Sequence, residues 1–222
     1  MAYRNGKAVG EVTSENISEM LAAPDTFIWL GLWQPDNDYL RHIQQEFNLH
    51  DLAIEDALTA HQRPKIEQYG DTFFIVAHTA QKIRDRIEYG ETHLFYGKNF
   101  LITVRHGASS SYAKVREHAE QCPEQLARGP GYALYCVLDF IVDNYLGIVG
   151  EFSSQFEEIE SRMFKTEFDQ KAVRQVYHLR RHLLSLRNAA VPMQDICGQL
   201  LHHDGLLPKE LRDYMRDVQD HA

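Results

Sequence analysis

The sequence predicts an α/β fold: a layered α/β/α domain on a mixed or antiparallel sheet, followed by long antiparallel helices and the first turns of one more helix. Three observations carry this. Residues 72–80, 88–96 and 99–105 are rich in aromatic and β-branched side chains, the composition of strands. Apolar residues recur at helical spacing ahead of them, at Leu40, Ile43 and Phe47. Beyond Gly129-Pro130-Gly131 the strand signal stops and helical spacing takes over. The predicted division is therefore 1–130 for the α/β domain, 131–207 for a long antiparallel helical pair and 208–222 for the start of the last helix.

Taken in order, Ser14 is placed to cap a helix carrying Ile17, Met20 and Leu21, which Pro24-Asp25 closes. Thr26-Phe27-Ile28-Trp29-Leu30 reads as a strand, and Asp36 caps the next helix. A short helix follows, on which Leu49, Leu52, Ala53 and Leu58 share one face and Glu55 and Asp56 take the polar side. Pro64 keeps Arg63 out of helical geometry, so that helix ends before it. Charged and apolar residues alternate from Lys65 to Tyr69, and a Gly70-Asp71 turn leads into Thr72-Phe73-Phe74-Ile75-Val76, which together predict a hairpin. Gly97-Lys98-Asn99 turns the next two strands, so all three pair antiparallel. Ser109 or Ser110 caps a helix through Val115 and Ala119.

Leu134, Val137, Leu138, Ile141, Tyr145, Ile148, Phe152, Phe156 and Ile159 then predict one helix from Tyr132 to about Phe164. A second begins near Asp169 and continues through Val173, Val176, Leu179, Leu183 and Leu186, with Pro192 expected to kink or interrupt it. Pro208 suits the first turn of a third helix over 209–222. No Gly or Pro terminator precedes Ala222, so the expectation is a helix cut in its middle.

Composition narrows the function. The 222 residues carry a formal net charge of −9, which disfavours a general nucleic-acid partner and makes a cation the natural one. Cys122, Cys136 and Cys197 are an odd number at wide spacing, which reads as buried thiols in a reducing compartment. No stretch is expected to reach the roughly 18 apolar residues of a membrane span. The motifs H-E-x-x-H, G-x-x-x-x-G-K-[ST] and G-x-S-x-G are all missing from the sequence, so no enzyme is predicted.

Adjacent Glu55 and Asp56 are the first cation candidates, because Mg²⁺ is a hard ion that prefers oxygen ligands and keeps several waters. Read by spacing alone, two adjacent acids are also an ordinary solvated helix face. Asp139 stands out between Leu138 and Phe140 on the most apolar helix, where an isolated carboxylate must sit at the edge or find a partner. Of the 12 histidines, His178 and His182 share a helical face, but Lys171, Arg174, Arg180, Arg181 and Arg187 oppose a cation there. Adjacent His202 and His203 do not share a face.

Glu55-Asp56-Ala57-Leu58 followed by His61-Gln62-Arg63-Pro64-Lys65 resembles the signature of the cytosolic domain of CorA-type magnesium transporters, and a looser likeness extends over nearly the whole chain. The resemblance implies that Asp56 faces an acid on the stalk helix of a neighbouring subunit with a regulatory divalent ion between them. Arg216-Asp217-Val218 fits the stalk pattern, which makes Asp217 that partner, and a second site would recruit Glu55 and Asp139. It further implies a homo-oligomer, pentameric in the full-length protein, that forms a channel for Mg²⁺ and also Co²⁺ or Ni²⁺. Its two membrane spans and Gly-Met-Asn pore signature would follow Ala222, in the cell inner membrane, with these residues cytoplasmic. The zinc-transporting branch of the same superfamily, with Zn²⁺ as its ion, and a stand-alone soluble interaction module remain the alternatives.

Overall fold

The computed structural model describes residues 1–84, 86–163, 170–203 and 206–222. Seven strands form one mixed sheet: β1 (Ala2–Arg4), β2 (Lys7–Gly10), β3 (Thr26–Trp33), β4 (Lys65–Tyr69), β5 (Thr72–Ile83), β6 (Arg86–Gly97) and β7 (Phe100–Gly107). Their order across the sheet is β2-β1-β3-β7-β6-β5-β4. The predicted antiparallel run β4 to β7 is present, with Gly97 against Phe100 at its turn. The sheet is mixed because β3 pairs parallel with β7, from Ile28 against Phe100 to Trp33 against Arg105. Strands β1 and β2 were not anticipated; β2 is an almost wholly exposed edge and carries little of the apolar alternation that marks a strand.

Alternation along the central strands feeds two cores. Ile28, Phe74, Val76, Phe95 and Ile102 point to one face, where α1 (Ile17–Ala22), α2 (Asn37–Phe47) and α3 (Asp51–Leu58) cover them. Trp29, Phe73, Ile75, Leu94 and Leu101 point to the other, under α4 (Ala113–Glu120), α5 (Pro123–Leu126), α6 (Pro130–Met163), α7 (Gln170–His202) and α8 (Arg212–His221). This is the expected α/β/α layering followed by long helices. Helices α6 and α7 pack on one another as well as on the sheet.

Several local expectations fail for identifiable reasons. The first helix begins after Asn16, not Ser14; the Asn16 side chain accepts the Thr13 N–H and donates to the Glu11 carbonyl instead. Neither Ser109 nor Ser110 caps α4: Ser109 is buried against Thr92, and Ser110 donates to Gln81. On α3, Leu52 is 54% exposed, and Ile54 and Ala57 take the core positions with Ala53. Phe156 and Leu183 lie exposed on the long helices. Helix α7 runs through Pro192 without interruption, held by buried Ala189, Met193, Ile196 and Cys197 on either side. The expected helix ends at Phe164 and Asp169 fall outside the described residues. Contrary to the sequence expectation, α6 is long and apolar enough to cross a membrane, although half of its most apolar window is buried inside this molecule.

Candidate functional site

Asp36 supplies the cap that orients α2, accepting the Tyr39 N–H at 2.8 Å, and Asn48 in left-handed geometry turns the chain into α3. Ala53, Ile54 and Ala57 then anchor α3 to the sheet, so Glu55 and Asp56 face outward, Glu55 exposed and Asp56 half-buried. Lys65 at the start of β4 reaches back: its Nζ lies 2.7 Å from Asp56 Oδ2 and 2.7 Å from Glu67 Oε2. Burial works against the Lys65 charge, but the two carboxylates outweigh it and raise its pKa. One Asp56 oxygen is thus committed to an ammonium, a partner that spacing did not reveal.

The signature loop between α3 and β4 is tied to the sheet by Glu91, which is only 4% exposed. Its Oε1 accepts the His61 N–H at 2.5 Å and its Oε2 the Gln62 N–H at 3.1 Å. His93 Nε2 stands 3.7 Å from Oε1, and His78 Nε2 stands 4.0 Å from Oε2. His78 Nε2 also contacts the Gln62 carbonyl at 2.9 Å, and His106 Nε2 the Ala57 carbonyl at 3.0 Å. Burial works to raise the Glu91 pKa, yet His93 and the His61 N–H more than reverse it, so the carboxyl titrates below its ordinary value. Burial, followed by the neighbouring His93, depresses the His106 pKa. Sequence alone does not mark this group, because Glu91 meets His78 and His106 only through strand register.

Asp217 lies on α8, which packs on α6 and α7 through Met215 and Val218. It is largely exposed, with His221 Nδ1 3.8 Å from its Oδ2. Asp139 on α6 is half-buried, and its pKa is raised by burial and then by the negative charges of Asp143 and Asp217. The Tyr135 hydroxyl and His221 act in the opposite direction. Within one chain the fold therefore brings Asp139 close to Asp217, while Glu55 and Asp56 sit on the helix layer across the sheet. Among the described residues no three His, Cys, Asp or Glu side chains converge as a metal site, and His178 and His182 are both exposed. The carboxylates of Asp56 and Asp217 are the oxygen donors that Mg²⁺ favours.

Residues 24–222 match the family model described as CorA-like Mg²⁺ transporter protein. The chain is 32% identical over 206 residues to YfjQ of Bacillus subtilis (strain 168), a protein named for metal ion transport; the match covers 91% of this chain and 63% of YfjQ. The chain thus spans under two thirds of that relative's length. Its fold is similar to the soluble domain of CorA from Methanocaldococcus jannaschii, with a TM-score of 0.71 at 19% identity over 88% of this chain and 78% of that one. It is equally similar to the ZntB cytoplasmic domain from Vibrio parahaemolyticus, with a TM-score of 0.72 at 12% identity over 90% of this chain and 78% of the other.

Proposed function

Because the chain belongs to the CorA-like Mg²⁺ transporter family, we propose that it is the cytosolic domain through which a divalent-cation channel senses the ion it carries, with Mg²⁺ regulating and Co²⁺ or Ni²⁺ also admitted. One observation carries this reading: Asp56 and Asp217 stand on helices that cover opposite faces of the same sheet. Within a chain the sheet stands between them. In a ring of copies, pentameric on this reading, α3 of one subunit meets α8 of the next and the two carboxylates face each other.

Bound Mg²⁺ supplies the positive charge that lets two carboxylates sit together while keeping much of its own water. The chain does the rest. The core packing of Ala53, Ile54 and Ala57 fixes the helix that presents Asp56, and Met215 and Val218 fix the one that presents Asp217. When the ion is lost, like charges face one another across the interface and favour its opening, by no more than the ion's difference in affinity for the two arrangements. Glu55 and Asp139 are assigned to a second, weaker site. The membrane spans and pore belong, on this reading, to a part of the longer protein beyond these residues, in the cell inner membrane, and no catalysis is assigned.

The test is the Asp56→Ala change in the complete transporter, read as inhibition of the ion current by internal Mg²⁺. Relief of inhibition supports the sensing role; an unchanged inhibition curve removes it. The likeness to the CorA and ZntB domains shows the fold alone and leaves the ion open. A flux comparison of Mg²⁺ with Zn²⁺ in the complete protein therefore decides the transported ion.

A further inference from the structure

A second feature lies away from the carboxylates. A cavity of about 790 Å³ opens between the β6–β7 turn, the start of α6 and residues 206–209 ahead of α8. Four cations line it: Lys98, Arg128, Lys209 and Arg212, each from a different element of the fold. Asp71 is the one carboxylate among the described lining residues, in a chain whose net charge is −9. Among the described residues none of the four cations pairs with a carboxylate.

The two guanidinium groups are held by backbone carbonyls: Arg128 Nη1 donates to Glu210 O at 3.2 Å, and Arg212 Nη2 donates to Leu201 O. Each keeps several N–H groups for another acceptor. The walls are firm. Tyr96 donates from its hydroxyl to the Leu206 carbonyl at 2.8 Å, and His203 packs edge-on against Phe73 with ring centroids 5.0 Å apart. A side chain at Gly131 would run into Leu211 at 3.1 Å and the Tyr96 hydroxyl at 3.2 Å, so the start of α6 lies close against the cavity floor. Like charges gathered around a walled space repel unless an anion joins them, and the volume falls within the roughly 300–1,000 Å³ of small-molecule sites.

We propose that this cavity binds a multiply charged phosphate anion, a free polyphosphate or a small phosphate ester. The planar fork of Arg suits phosphate oxygens bidentately, and Lys supplies point charges beside it. The site does not depend on the metal reading above. An anion there joins the base of α8, which carries Asp217, to the β6–β7 turn and the start of α6.

Calorimetric titration of the chain with sodium pyrophosphate, in metal-free buffer at low ionic strength, tests the proposal. The expected result is saturable binding of one pyrophosphate per chain. Binding should weaken about tenfold or more in Arg128→Gln and again in Arg212→Gln. The exposed pair Lys98→Gln and Lys209→Gln, changed together, should weaken it similarly without altering the melting temperature, while Arg187→Gln on α7 should have no effect. Absence of saturable binding in the unmodified chain overturns the proposal, as does full affinity after loss of the lysine pair and of either arginine.

Discussion

Lys65 Nζ lies 2.7 Å from Asp56 Oδ2, so the acid that the functional reading depends on is already partnered by a cation of its own chain. On the proposed reading, a divalent ion at Asp56 would compete with that ammonium or share the carboxylate with it. Changing Lys65→Met should therefore lower the Mg²⁺ concentration that half-maximally stabilises the assembled protein, and Asp56→Asn should remove the Mg²⁺ response. The ion pair itself is partly exposed and contributes about 1 kcal/mol or less to folding. Sedimentation of the assembly across a Mg²⁺ series measures both effects; a Lys65→Met midpoint equal to or above that of the unmodified protein would contradict the competition.

Glu91 holds the loop after α3 with both carboxylate oxygens, on the N–H groups of His61 and Gln62. An amide in its place has one acceptor oxygen, so Glu91→Gln leaves a backbone donor unpaired and should destabilise the chain by about 1–3 kcal/mol. Hydrogen exchange should quicken at the His61 and Gln62 amides and not at the far edge of the sheet. Uniform protection in the variant would show that the loop is held by something else.

The same group predicts acid sensitivity. His106 has a depressed folded pKa, so the unfolded chain binds its proton first, and stability falls as pH drops below the ordinary imidazole value of 6.5. Glu91 has a depressed carboxyl pKa, so its contribution is present above the ordinary carboxylate value and is lost as pH falls through the folded one. Melting temperature should decline in two stages on acidification. His106→Asn should flatten the earlier stage, just below pH 6.5; an unchanged slope there would mean that another group titrates.

Much of the fold was legible because its strongest signals are local. The β4–β5 hairpin, the Asp36 cap and the period of α6 all depend on residues within a few positions of one another. The parallel pairing of β3 with β7 depends on residues about seventy positions apart, and nothing in either strand specifies direction. Glu55, Asp56 and Lys65 all lie in the motif, but that Lys65, nine positions on, returns to pair with Asp56 depends on the path of the loop between α3 and β4. The Glu91 group needs exact register, since a slip of one residue sends its side chain to the other face of the sheet. At Pro192 the helix is not interrupted: α7 continues through a strong local breaker, with buried residues on either side of it.

Cys136 and Cys197 are both buried, and burial pushes each thiol up to about 12. Only the thiolate reacts with an alkylating agent, so neither should be labelled by iodoacetamide at pH 8 in the folded chain. Cys122 is partly exposed and is the thiol expected to react. Mass spectrometry should find one label per folded chain and three after denaturation. Early labelling of Cys136 would mean that the start of α6 opens away from the sheet.

Asp139 offers the most discriminating test of the acidic face shared by α6 and α8. Its folded pKa is raised by burial and by Asp143 and Asp217, so stability is lost as pH rises from the ordinary carboxylate value through the folded one. At neutral pH the ionised carboxylate therefore works against folding, and Asp139→Asn should raise the melting temperature in metal-free buffer. If Asp139 takes part in a second cation site, Mg²⁺ neutralises the repulsion in the unmodified protein and the advantage of the variant shrinks as Mg²⁺ is added. A constant advantage across the Mg²⁺ series would assign Asp139 to packing alone and leave Asp56 and Asp217 as the whole of the proposed sensing site.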